Sequence, residues 1–292
     1  MIGVIIALVT ALAWAGSSTL LKYLSARVDT ISLNTTRLWV GSVILLAFVF
    51  LSGRGDDLVQ ADSLSILMVV VSGIVAIAAG DTIYIKSLSF LDVSRAFPLA
   101  QCTFPVLTLF TAILFLNESF AWFNILGSAL VVLGIYLLAR TDRRGVANKA
   151  TSKGIALALV AAVLWAGGAV ALKLGVTNMD NFVAAAIRIP AATIALTVLA
   201  LSQRSRGSLQ FIRYGARSTV LAVGTGILTY GVAAVGYVTA MQLIGVGKTV
   251  LLTASAPLFL LPFSVLILKE RPPLLALIGV FVSVVGMCLV AV

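Results

Sequence analysis

Apolar residues run along this chain in long unbroken stretches. They show neither the alternation of a half-buried strand nor the narrow stripe of a surface helix. Read between charged or turn-rich breaks, they give ten candidate spans at 2–24, 31–51, 64–88, 93–116, 121–139, 154–175, 182–202, 218–242, 246–268 and 273–291. Each is close to the roughly 20 residues a helix needs to cross a hydrocarbon core of about 30 Å. Longer polar breaks fall only at 52–63, 140–153 and 203–217. The middle one divides the chain near its centre. The pattern therefore predicts an all-α membrane protein of ten transmembrane helices, with five-helix units at 1–140 and 154–292 joined by a basic linker at 141–153.

The two units repeat each other. Trp14-Ala15-Gly16 matches Trp165-Ala166-Gly167, and the same offset pairs Lys22 with Lys173, Asp29 with Asp180 and Arg37 with Arg188. One further residue of offset pairs Pro105 with Pro257, Glu118 with Glu270, Gly127 with Gly279 and Gly134 with Gly286. Five spans is an odd number, so the second unit enters the membrane from the opposite side. An inverted repeat of this kind is a hallmark of secondary transporters.

Composition narrows the function classes. Of 292 residues, 61% are hydrophobic and 10% charged, against roughly 25% charged in a soluble domain. The net charge of +10 would suggest nucleic acid in a soluble protein; here the basic residues sit at span ends, so no nucleic-acid partner is expected. There is no histidine, which removes imidazole-based metal sites, catalytic triads and proton relays. Cys102 and Cys288 lie inside apolar runs and read as packing residues. Gly245-Val246-Gly247-Lys248-Thr249 resembles the end of a phosphate-binding loop, but the required first glycine is Gln242 and no strand precedes it. No cofactor is expected. The N-terminal apolar run has no preceding Lys or Arg and reads as a span rather than a leader.

Charge also sets an expected orientation. Sixteen Lys and Arg lie on the side of the odd-numbered loops, against Arg54, Lys173, Arg188 and Lys248 on the other. The positive-inside rule then places both termini outside the cell.

In its two five-helix repeats, the chain resembles the drug/metabolite transporter superfamily and, within it, the EamA-type families. The resemblance is carried by Ala13-Trp14-Ala15-Gly16, Arg37, Gly80-Asp81-Thr82-Ile83-Tyr84, Pro98, Pro105, Glu118 and Gly127…Gly134, with a weaker copy in the second half. It covers essentially the whole chain. It implies a ten-helix bundle around a central cavity that moves small metabolites, often outward. It also implies cytosolic termini, opposite to the charge count. The small multidrug relatives couple to protons through a glutamate in the first span, whereas 2–24 contains no acid.

Several in-span residues are candidates for the site. Asp81 is the only acid well inside a span, and such residues are costly enough to be paired or functional. At 1.5 Å per residue it lies roughly 7 Å from the centre of its span, and Arg37 lies roughly 6 Å from the centre of its own, toward the same side. That matching depth makes them the candidate pair. The position equivalent to Asp81 in the second half is Ala233, so Arg188 lacks its twin's acid. An acid in one half and a spare base in the other would suit a zwitterion. Trp14, Ser17, Tyr84, Gln101, Trp165, Tyr230 and Tyr237 are polar or amphipathic groups at mid-span depth, with Ser18 and Thr253 beside them as cavity candidates. Lys248 is a further candidate for contact with an anionic group. Pro105 and Pro257 are expected kinks facing the bundle interior. Gly127, Gly134, Gly279 and Gly286 are expected at close helix contacts.

The expected function is a secondary transporter in the plasma (inner) membrane. It would export small polar metabolites such as amino acids by alternating access, with the proton as the default coupling ion. A channel or structural multi-pass protein is the alternative. A membrane enzyme would need clustered acids or a nucleophile with a base, and neither pattern is present.

Overall fold

The computed structural model describes residues 1–54, 62–116, 122–140, 149–176, 179–202, 215–244, 252–253 and 255–290. Among them the chain forms ten helices and no strand. They are α1 (Ile2–Ser25), α2 (Thr30–Leu51), α3 (Ser63–Ser87), α4 (Val93–Leu116), α5 (Trp122–Arg140), α6 (Lys149–Gly175), α7 (Asn181–Ser202), α8 (Ala216 to Ile244), α9 (Ala256–Leu266) and α10 (Leu274–Val290). Six of them, α1, α2, α3, α6, α7 and α8, contain segments long and apolar enough to cross a membrane, with shorter apolar stretches at Ile125–Leu138, Ala256–Leu266 and Leu274–Leu289.

Helix boundaries follow local chemistry. Asp29 starts α2 by accepting from the amides of Ile31 and Ser32, each at 3.1 Å. Its repeat partner Asp180 starts α7 by accepting from Phe182 and Val183 at 2.9 and 3.3 Å. Asp62 caps α3 through Leu64 and Ser65, both at 3.0 Å. Each carboxylate satisfies amides that a helix start leaves unpaired. The Ser65 side chain, with these amides, draws the exposed Asp62 carboxyl below its ordinary value. Two boundaries differ from the sequence expectation. α6 begins at Lys149 rather than near 154, because Lys-Ala-Thr-Ser-Lys holds no helix breaker. The polar break ends the apolar run but not the helix. Pro257 stands in the first turn of α9 rather than mid-helix, where its missing N–H costs nothing.

Two helices are interrupted by wider turns: α3 is π-helical over Gly73–Asp81, and α8 over Ile227–Ala234. Each buries part of its surface in the bundle, through Ala76 and Ile77 in one and Tyr230 and Ala233 in the other, and exposes another part.

The packing places α5 against α10, α2 against α7, α4 against α6 and α1 against α9. α3 contacts α6 and α7, and α8 contacts α1 and α2. Small residues allow the closest approaches, because lipid supplies no hydrophobic drive between helices and contact itself must hold them. At the α5–α10 crossing a Cβ on Gly286 would stand 2.6 Å from the Gly127 carbonyl oxygen, and one on Gly279 would stand 2.9 Å from that of Gly134. Cys102 is buried and Cys288 half-buried in one small apolar cluster with Met287, and neither forms a disulfide.

Candidate functional site

A cavity of about 560 Å³ lies within the bundle, in the volume range of small-molecule sites. It is lined from α1, α2, α3, α4, α6, α7 and α8. At one end its wall reaches Leu172 and Val176, where α6 runs into α7. At the other it stops at Leu21 and Phe97, beyond which Leu24, Leu88, Leu91 and Val93 are fully packed. Polar contacts tie that packed end together. Lys22 Nζ donates to the carbonyls of Leu88 (2.8 Å) and Leu91 (2.6 Å). Glu270 accepts from the amides of Val93 (2.9 Å) and Ser94 (3.2 Å) at the start of α4.

The centre of the cavity is built on Asp81. It ends the π-helical stretch of α3, and its carboxylate is held from the other half of the chain. The Trp165 indole Nε1 donates to Oδ1 at 2.9 Å, and the Tyr230 hydroxyl donates to Oδ2 at 3.1 Å. Arg37 is the expected partner, but its Nη1 is 3.9 Å from Oδ2, at the limit of an ion pair. The direct hydrogen bonds of Arg37 go elsewhere: Nη1 donates to Asn34 Oδ1 at 3.0 Å and Nη2 to Thr229 Oγ1 at 3.1 Å. Thr229 Oγ1 also shares a hydrogen bond of 2.8 Å with Ser17 Oγ. Asn34 in turn donates to Thr82 Oγ1 at 2.9 Å and to the Ile77 carbonyl at 3.2 Å. One polar chain thus joins α1, α2, α3 and α8.

Aromatic side chains supply much of the remaining wall. Trp14 packs on Tyr237 with ring centres 5.5 Å apart. Trp165 packs on Tyr84 at 5.4 Å and meets Phe104 edge-on at 6.4 Å. Gly80 makes room for the Trp165 ring, since a Cβ there would stand 2.8 Å from its Cδ1. The guanidinium carbon of Arg37 lies 5.6 Å from the centre of the Tyr230 ring, within range of a cation–π attraction.

Of the sequence candidates, Trp14, Ser17, Ser18, Arg37, Asp81, Tyr84, Gln101, Trp165, Arg188, Tyr230 and Tyr237 all line this one cavity. Thr253 is buried but is not in its wall, and neither is Pro257. Lys248, Glu118 and most of the 141–153 linker lie outside the described residues, as does the side chain of Pro105. The sequence reading missed Asn34, Thr229, Phe97 and Phe104. Asn34 had a usable signal: a polar amide inside an apolar span, three residues before Arg37 and so on the same helical face.

The model of the EamA-like transporter family matches residues 1–140 and again 152–292. An uncharacterized transporter of Archaeoglobus fulgidus is 22% identical over 289 residues, covering 99% of this chain and 98% of that protein. A crystal structure described only as that of a protein superposes with a TM-score of 0.70 over 98% of this chain and 95% of its own, at 18% identity. That likeness establishes the shared fold.

Proposed function

Because the chain belongs to the EamA-like transporter family, we propose that this multi-pass membrane protein is a secondary transporter that exports small polar metabolites, amino acids among them, across the plasma (inner) membrane. The observation that carries this is the cavity itself. It sits between the two halves and holds an acid and two arginines in a largely apolar wall. Its lining reaches one end of the bundle while the other end is packed shut. That is the arrangement of a carrier caught open to one side.

The exchange of partners between halves supports an inverted repeat. Under a shift of five helices the α4–α6 contact maps onto α9–α1, α3–α6 onto α8–α1, and α3–α7 onto α8–α2, and each of these contacts is present. Rocking of one half against the other would break Glu270 free from the amides that start α4 and close the opposite end. Asp81 is the group placed to sense a coupling proton, being the only acid in the cavity wall among the described residues. If transport is not coupled, the same cavity supports facilitated diffusion.

Flux in proteoliposomes tests the reading. A carrier gives saturable uptake stimulated by unlabelled solute on the opposite side. Single-channel currents without saturation would favour the channel alternative. Asp81→Asn separates coupling from exchange: a coupling acid, once removed, leaves exchange between equal pools but abolishes accumulation against a gradient.

A further inference from the structure

Two buried donors in the cavity wall have no hydrogen-bond partner: Arg37 Nε and Arg188 Nε. Buried polar atoms are nearly always satisfied, so two orphan donors around one cavity mark a missing acceptor.

Arg188 carries the largest share of that deficit. No carboxylate stands within ion-pair distance of it among the described residues. Asp81 acts on it through space, but both Asp81 oxygens are already engaged by Trp165, Tyr230 and Arg37. The contrast with its repeat twin is specific. Arg37 has Asn34 three residues earlier on the same helix, and Asp81 near its guanidinium. The equivalents for Arg188 are Ala185, which lines the cavity, and Ala233. Both positions that hold polar partners of Arg37 are alanine around Arg188. Its stem is also fixed in place: α3 passes so close that a Cβ on Gly73 would stand 3.2 Å from Arg188 Cγ and collide with the Arg188 carbonyl oxygen.

Among the described residues the cavity wall therefore holds one acid and two arginines, an excess of one positive charge. Ala76, Ile77, Leu172 and Ile189 line the same cavity and offer no counter-charge. A guanidinium is a planar fork that matches an oxyanion. We infer that Arg188 is the anion subsite of this cavity, and that the solute it takes is a small organic monocarboxylate with an apolar body seated among the aromatic side chains.

A monoanion balances the single excess charge, whereas a phosphate dianion would overshoot it. An ammonium group would have to share Asp81 with Trp165 and Tyr230, which already donate to it, and with the guanidinium of Arg37 beside it. The carboxylate is thus the required group, and an amino group is not. That this solute is carried across the membrane rests on the transport reading above; that it binds at Arg188 does not.

The test uses a shape-matched series of probes: leucine, 2-hydroxy-4-methylpentanoate, 4-methylpentanamide, 3-methylbutylamine and inorganic phosphate. Thermal stabilisation of the purified full chain reports binding, and counterflow in proteoliposomes reports transport. The hydroxy acid is expected to bind at least tenfold more tightly than the amide, the amine and phosphate, and at least as tightly as leucine. Arg188→Gln should reduce the ratio between hydroxy acid and amide to near one, in binding and in KM alike. Arg188→Lys, which keeps the charge but loses the fork, should give an intermediate ratio; it also serves if the glutamine variant does not fold.

Equal binding of acid and amide to the native protein, or an unchanged ratio in folded Arg188 variants, would overturn the proposal. So would tighter binding of phosphate or of the amine. Charge-selective binding without trans-stimulated flux would leave the subsite standing and remove the transporter. Saturable flux without charge selectivity would do the reverse.

Discussion

At the scale of single residues, the cavity is governed by what a charge costs inside a bundle. Arg37 is almost completely buried, at 3% exposure, and Asp81 is the acid nearest it. Removing one member of a buried pair strands the other, at about 3–5 kcal/mol. Asp81→Ala should therefore lower stability by that amount in chemical or thermal unfolding of the purified protein. The double change Arg37→Met with Asp81→Leu should be milder, because Arg37 is no longer left stranded; equal losses would show that the two are uncoupled. Asp81→Asn should fall below the alanine variant in cost, since the amide can still meet Trp165 and Tyr230. The identity of these residues was legible in the sequence because polar groups inside apolar spans are rare and expensive. Their partners were less so. Matching depth along the membrane correctly brought Arg37 near Asp81. It could not reveal that Trp165 and Tyr230, 84 and 149 positions away, hold the carboxylate more closely. That depends on how each helix is rotated about its axis, which hydropathy does not encode.

Among helices, the positions of spans were legible and their internal geometry was not. Long apolar runs locate a helix, but the π-helical stretches Gly73–Asp81 and Ile227–Ala234 leave no periodic trace in segments apolar all round. Their common place beside the cavity is typical of such turns. The glycine pairs were readable as contacts, and the structure grades them. Gly286→Ala presses a methyl against the Gly127 backbone, which cannot yield as a side chain would. It should cost about 1–3 kcal/mol. A Cβ on Gly167 would meet nothing within 4 Å, so Gly167→Ala should be neutral or gain up to about 1 kcal/mol from helix propensity. Melting temperatures of the two variants, which should move apart, check both. The α9–α10 corner adds a pH dependence. Burial pushes the Glu270 carboxyl above its ordinary value, and its hydrogen bonds to Ser94 and Val93 offset only part of this. The folded state then holds its proton more tightly than the unfolded chain. The associated stability is fully present below the ordinary glutamate value and is lost as pH rises through the raised one. A melting profile across that window should decline for the native protein and flatten in Glu270→Gln. Asp92 and Lys22, which face the same corner, remain in both proteins.

For the molecule as a whole, the unsettled vector is the direction of the bundle across the membrane, and the cavity gives it functional meaning. The helix ends near the packed end carry Lys22, Arg27, Lys86, Arg95, Lys153, Arg217, Lys269 and Arg271. The end that the cavity wall reaches carries Arg54, paired at 3.0 Å with Asp180. The positive-inside rule counts Lys and Arg near span ends, so the packed end should face the cytoplasm and the cavity should face out. Two exposed serines report on this. Ser89 follows α3 at the packed end, and Ser52 follows α2 at the other. In a background with Cys102 and Cys288 replaced by alanine, Ser52→Cys should react with an impermeant maleimide in intact cells. Ser89→Cys should react only after permeabilisation. That outcome would make this the conformation in which an exporter releases its solute. Labelling of Ser89→Cys in intact cells would invert the bundle, and the same cavity would then be the cytoplasmic loading state. It would also mean that the basic excess, the main sequence argument for orientation, fails to set the topology here. The cytosolic termini implied by the family resemblance would be the better guide.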